Sequence, residues 1–134
     1  VDDLEGIILP TIKEAAQEIG AFYGAQVEMH HYEPLFKDMR QDKKLLNLFK
    51  DVMTEFGEAP RILPDDEADG STDVGNVSYE VPTAQPTLQI GLGLEAHTPE
   101  FTCAAGSDYG LAQAIKGAKI MAVVALRYAL LRDA

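Results

Sequence analysis

Apolar residues recur three and four positions apart at the start of the chain: Leu4, Ile8, Ile12, Ala15, Ala16 and Ile19. That spacing places them on one face of a helix over residues 1–23. Asp2, Asp3 and Glu5 suit the positive end of its dipole. Pro10 predicts a kink or a second start near Thr11, because its ring carries no N–H and crowds the turn before it. Gly20 and Gly24 read as stop signals. The period then changes to two over residues 26–32, where Val27, Met29 and His31 alternate with Glu28, His30 and Tyr32, a strand pattern. Pro34 breaks it, and residues 33–41 read as a crossover.

The helical period returns over residues 42–56. Leu45, Leu48, Phe49, Val52 and Phe56 form one stripe, Lys43, Lys44, Lys50 and Asp51 lie off it, Asp42 can cap the start, and Gly57 ends it. Residues 61–70 are a polar, acidic loop. Residues 74–79 read as a short turn of helix, and Pro82 and Pro86 exclude a long element after it. The run TLQIGLGL, residues 87–94, predicts a buried strand, with Gly91 and Gly93 where a backbone or ligand approaches. Thr98 as N-cap and Pro99 at the first helical position open a short helix to Ala105. Ser107 caps a last helix over about 108–131. Its expected buried face is Leu111, Ile115, Ala118, Met121, Ala125 and Tyr128, and the small residues Ala112, Ala114, Gly117, Ala118 and Ala122 would let it lie close on a sheet. Helices alternating with strands predict an α/β fold, though two or three strands are too few for an ordinary sheet.

Composition narrows the partners. The chain has 134 residues and a formal charge of −11, so no field of Lys and Arg exists to meet nucleic acid or an anionic membrane. No apolar run approaches the roughly 20 residues of a membrane span. The single cysteine, Cys103, excludes an internal disulfide and points to a reducing, cytoplasmic setting. The chain opens on Val1, directly on a helical pattern, as the C-terminal part of a longer protein would.

Two stretches carry candidate chemistry. His97 follows the apolar 87–94 run, at the end of a strand where α/β sheets bind ligands, and imidazole is the commonest metal ligand. It is weighed against a plain surface histidine. The segment Gly70-Ser71-Thr72-Asp73-Val74-Gly75-Asn76-Val77-Ser78 can present successive N–H groups to an anion, or serve only as a capped turn with Ser71 or Asp73 as the cap. Other constellations fall away. His30 and His31, adjacent in a strand, point to opposite faces and cannot share one ion. The carboxylates of 65–69 lack the alternating ligands of an EF-hand. Cys103 has no nearby histidine on its own helix. A triad of Ser71 or Ser78 with His97 and Asp73 lacks the nucleophile-elbow sequence.

The segments GSTDVGNVSYEVPT, HTPEF and AAGSDYGLAQAIKGAKIMAVVAL resemble the C-terminal end of the M20 family of metallopeptidases, in its aminoacylase-like and aminobenzoyl-glutamate hydrolase-like branch, which includes dipeptidases. The resemblance implies a two-zinc catalytic α/β domain interrupted by a lid domain that makes a homodimer. Residues 1–33 would end the lid, and residues 34–134 would be the returning segment of the catalytic domain. His97 would match the C-terminal metal-ligand histidine, and Ser71, Thr72, Asp73 and Gly75 would line the substrate site. The His-x-Asp ligand motif, the bridging Asp and the Glu-Glu pair are absent from the sequence, so no catalytic residue lies in this chain. The implied reaction is hydrolysis of a peptide or N-acyl amino acid amide by a water shared between two Zn²⁺, or Co²⁺ or Mn²⁺. The remaining ligands would come from the N-terminal part of the same protein, and the isolated chain would be inactive. The alternative is a non-catalytic binding or dimerisation module that keeps the fold.

Overall fold

The computed structural model describes residues 3–64 and 70–132. The acidic cluster of 65–69 and the first two residues of the expected N-terminal helix lie outside the described residues. The chain divides into two units. One takes the chain up to Arg40 together with Gly70–Val81; the other takes the stretch between them and everything from Pro82 onward.

The first unit opens with a π-helical turn, Leu4–Ile8, and continues as helix α1, Leu9–Tyr23. The Leu9 amide reaches back to the Leu4 carbonyl. Pro10 sits in the first turn of α1, where its missing N–H costs least. The expected kink or second start near Thr11 takes the form of a change from π- to α-helical winding at Ile8 and Leu9, both helical, just before the proline. Gly24 ends α1 in the left-handed conformation, as a C-terminal glycine does. Gly20 does not stop the helix. It is buried inside α1, and a Cβ there would meet Val27 at 2.5 Å, so the glycine makes room for the returning chain.

Residues 26–31 carry no regular structure, Tyr32 is a bend, and the expected strand is not formed. An extended segment becomes a strand only when another backbone pairs with it, and none does so among the described residues. Tyr32 is 92% exposed. The apolar face of α1 is likewise mostly open, with Ile12, Ile19 and Phe22 all exposed, as is Ile8 in the turn before it. Unit one also holds helix α3, Val74–Val77.

The second unit is built on α2, Lys43–Glu55, and α5, Asp108–Arg132. Asp42 caps α2 by accepting from the Leu45 amide at 2.8 Å, and Gly57 takes positive φ just beyond its end. The predicted stripe of α2 is the one that packs. Val52 is fully buried, and Leu45, Leu48, Phe49 and Phe56 surround the cluster of Val52, Met53, Ile120 and Val124. Helix α4, Pro99–Ala105, lies against α5. The corner between them needs Gly110, since a Cβ there would meet the Ala104 carbonyl oxygen at 2.3 Å.

Two expectations for this unit are corrected. Residues 87–94 make no strand, because no described segment pairs with them; Leu88 joins the core while Leu92 is 86% exposed. The only pairing among the described residues is one isolated parallel bridge, Gln41 to Thr83. The fold is therefore mainly helical, and an α/β sheet is not displayed. Second, α5 buries the side opposite to the expected one. Gln113, Ile120 and Val124 face inward, while Leu111, Ile115, Ala118, Met121 and Ala125 are exposed and, of the expected face, Tyr128 alone is half-buried. Gly117 admits Leu88 at 3.2 Å, so the close approach enabled by that small residue is to a side chain of the helical core. Both sides of α5 are apolar, so periodicity alone could not choose between them. The packed side also carries polar contacts: Lys116 pairs with Glu58, Arg127 makes a two-pronged pair with Glu55 at 2.6 and 2.8 Å, and Gln113 donates to the Gln89 carbonyl at 2.9 Å.

Candidate functional site

His97 stands in a tight corner just before α4. Thr98 is extended and caps that helix, accepting from the Phe101 amide at 3.2 Å, as its sequence position predicts. The same hydroxyl donates to the Glu95 carbonyl at 2.7 Å, closing the chain around residues 96 and 97. His97 itself has φ of +64°, the one non-glycine residue with positive φ among the described residues. Histidine tolerates that region better than bulky or β-branched residues, but it remains uncommon. The side chain is exposed, and no hydrogen bond engages its imidazole among the described residues. Both ring nitrogens are thus available in chemistry and in space to a metal ion.

A catalytic zinc takes about three protein ligands. No cluster of three or more His, Cys, Asp or Glu side chains with metal-binding geometry exists among the described residues. His97 fits the role of one donor, and these residues do not complete a site around it.

The other expected site residues lie in the first unit. Ser71 and Asp73 are exposed, Thr72 is half-buried and Gly75 is buried. Neither Ser71 nor Asp73 caps α3; Thr72 does so weakly, its Oγ1 accepting from the Val74 amide at 3.3 Å. The amides of Gly75 and Asn76 are spent on the Thr72 and Asp73 carbonyls. The amides of Ser71, Thr72 and Asp73 make no hydrogen bond among the described residues, which leaves them free to meet an anion. His97 and Ser71–Asp73 therefore belong to separate units, and each is built locally.

Gly75 has a structural reason of its own. A Cβ at this position would lie 2.0 Å from the Lys37 carbonyl oxygen. Around it, residues 35–40 are stitched to 75–79. Asn76 accepts from the Lys37 amide at 2.7 Å and donates to the Leu35 carbonyl at 3.1 Å. Ser78 accepts from the Arg40 amide at 2.9 Å and donates to the Gly75 carbonyl at 2.5 Å. That double engagement removes Ser78 as a nucleophile. The Tyr79 hydroxyl donates to Asp38 at 2.7 Å, and the Arg40 guanidinium lies 3.7 Å from the Tyr79 ring centre. The hydrogen bond from Tyr79 holds the Asp38 carboxyl below its ordinary range, and the same bond raises the Tyr79 hydroxyl. The contacts of Asn76, Tyr79, Asp38 and Arg40 carried no sequence signal, because partners some forty residues apart show no local period.

His30 lies beside Glu28 at 3.7 Å, and both are largely exposed. Cys103 is an exposed free thiol on α4. No helix is long and apolar enough to cross a membrane among the described residues.

No protein-family model matches the chain, and no solved structure does. Two curated proteins match part of it. The Xaa-Arg dipeptidases of mouse and human are each 44% identical to it over 57 residues. That stretch is 42% of this chain and only 13% of either relative. Over part of its length, then, the chain is similar to a peptidase.

Proposed function

We propose that the chain is the C-terminal part of a metal-dependent amidohydrolase of the M20 type, acting on a dipeptide or an N-acyl amino acid. The observation that carries this reading is the partial similarity to two dipeptidases, in a chain whose HTPEF motif holds an unencumbered imidazole in a tight corner. In this reading residues 34–134 return to the catalytic domain and residues 1–33 end the lid. His97 supplies one metal ligand, and the Ser71–Asp73 amides bind the carboxylate or carbonyl of the substrate. When bound, the two metals supply a polarised carbonyl and a water that gives up its proton near neutral pH. The stitched segment around Gly75 keeps the substrate loop in shape. The isolated chain lacks most of the ligands and is inactive.

The test is His97→Ala in the full-length protein. Metal content should fall by one ion, and dipeptide hydrolysis by roughly a hundredfold or more. Unchanged metal content and rate would overturn the reading. A second reading, a binding or homodimerisation module, draws on the open apolar face of α1, where Ile12, Ile19 and Phe22 stand exposed. Under it, substituting Phe22 by Ser changes the oligomeric state and His97→Ala changes nothing.

A further inference from the structure

We propose that Thr98 is a positioning residue for His97, acting through the backbone of the corner and resting on the reading of His97 as a metal ligand. The Thr98 hydroxyl does two jobs at once: it accepts from the Phe101 amide and donates to the Glu95 carbonyl. The first job is ordinary helix capping, which serine, threonine, aspartate and asparagine all perform. The second is different. It ties the residue after His97 to the residue two before it, and the backbone of His97 is held at φ of +64° inside that closure. A non-glycine residue persists there only where its surroundings over-determine it. The Thr98 carbonyl adds a further anchor, accepting from the amide of Thr102 at 3.1 Å and from its hydroxyl at 3.2 Å. The corner is therefore fixed from both sides, and the imidazole is aimed by its main chain, with no side-chain partner among the described residues to steer it.

Aspartate separates the two jobs. An ionised carboxylate accepts but cannot donate, so Thr98→Asp keeps the cap and loses the closure. Thr98→Ser keeps both, and Thr98→Ala loses both. The experiment uses the full-length protein with ¹⁵N-labelled histidine, reading the His97 imidazole signals, assigned with His97→Gln, and Zn²⁺ affinity by chelator competition. Thr98→Ser should match the parent in both. Thr98→Asp and Thr98→Ala should shift the His97 signals alike and weaken Zn²⁺ about 10–100-fold, the usual cost of losing an outer partner of a ligand. If Thr98→Asp behaves like the parent, the hydroxyl only caps α4 and the proposal fails. If the imidazole signals shift while Zn²⁺ affinity holds in every variant, positioning stands and the metal reading falls.

Discussion

Single positions in this chain are decided by backbone approach as much as by chemistry. Gly75 stands in the segment proposed to line a substrate site, yet its burial has a nearer cause in the Lys37 carbonyl. Gly75→Ala should therefore cost about 1–3 kcal/mol or more through forced backbone movement, read as a lower urea midpoint, even where no substrate is present. An unchanged midpoint would return Gly75 to a purely functional role. Tyr79→Phe should let the Asp38 carboxyl rise back toward its ordinary value, followed by NMR titration, because the hydroxyl bond is the largest cause of its depression. The sign follows: Asp38 favours the folded state above its ordinary pKa and ceases to do so as the pH falls through the lower folded value. Residues whose role depends on local turn or cap chemistry were legible beforehand. Asp42, Gly24, Gly57, Thr98 and Ser107 all do what their positions predict. Residues whose partner lies far along the chain, such as Asn76 and Gln113, were not.

The helices were legible as elements, but their faces only where one side is polar. Stripe and packing agree for α2 because lysines mark its outside. Apolar residues lie on opposite sides of α5, so no polar stripe marked its outside; on the packed side Lys116 and Arg127 meet carboxylates on or beside α2. The two expected strands failed for a different reason, since a strand is a property of a pair. Two outcomes follow at this scale. Val52→Ala, removing two methyl groups from a fully buried site, should cost about 2 kcal/mol in denaturant unfolding. Glu55 and Glu58 are both held below the ordinary carboxylate value, each chiefly by its hydrogen-bonded cation, Arg127 and Lys116. Their contribution is present above about pH 4.3 and is lost as the pH falls through the lower folded values. The urea midpoint should therefore drop on acidification, and Glu58→Gln should flatten that drop.

At the scale of the molecule, large apolar side chains stand open along α5. Leu111 and Ile115 stand on one side of α5, with Leu126 and Leu130 also exposed toward its end. Replacing Leu111 and Ile115 by lysine should reduce light scattering by the isolated chain while leaving its unfolding midpoint within about 0.5 kcal/mol. A large loss of midpoint would mean that these side chains already pack inside the chain. The pairing of α2 with α5 also has a consequence for how the protein is made. Glu58 waits for Lys116 across 58 residues, and Glu55 waits for Arg127 across 72. At a synthesis rate of about 5–20 residues per second, α2 leaves the ribosome some 3–14 s before its partner exists. For that interval Phe49, Val52 and Met53 have no α5 to cover them, and the nascent chain offers a binding site to chaperones that the finished fold withdraws.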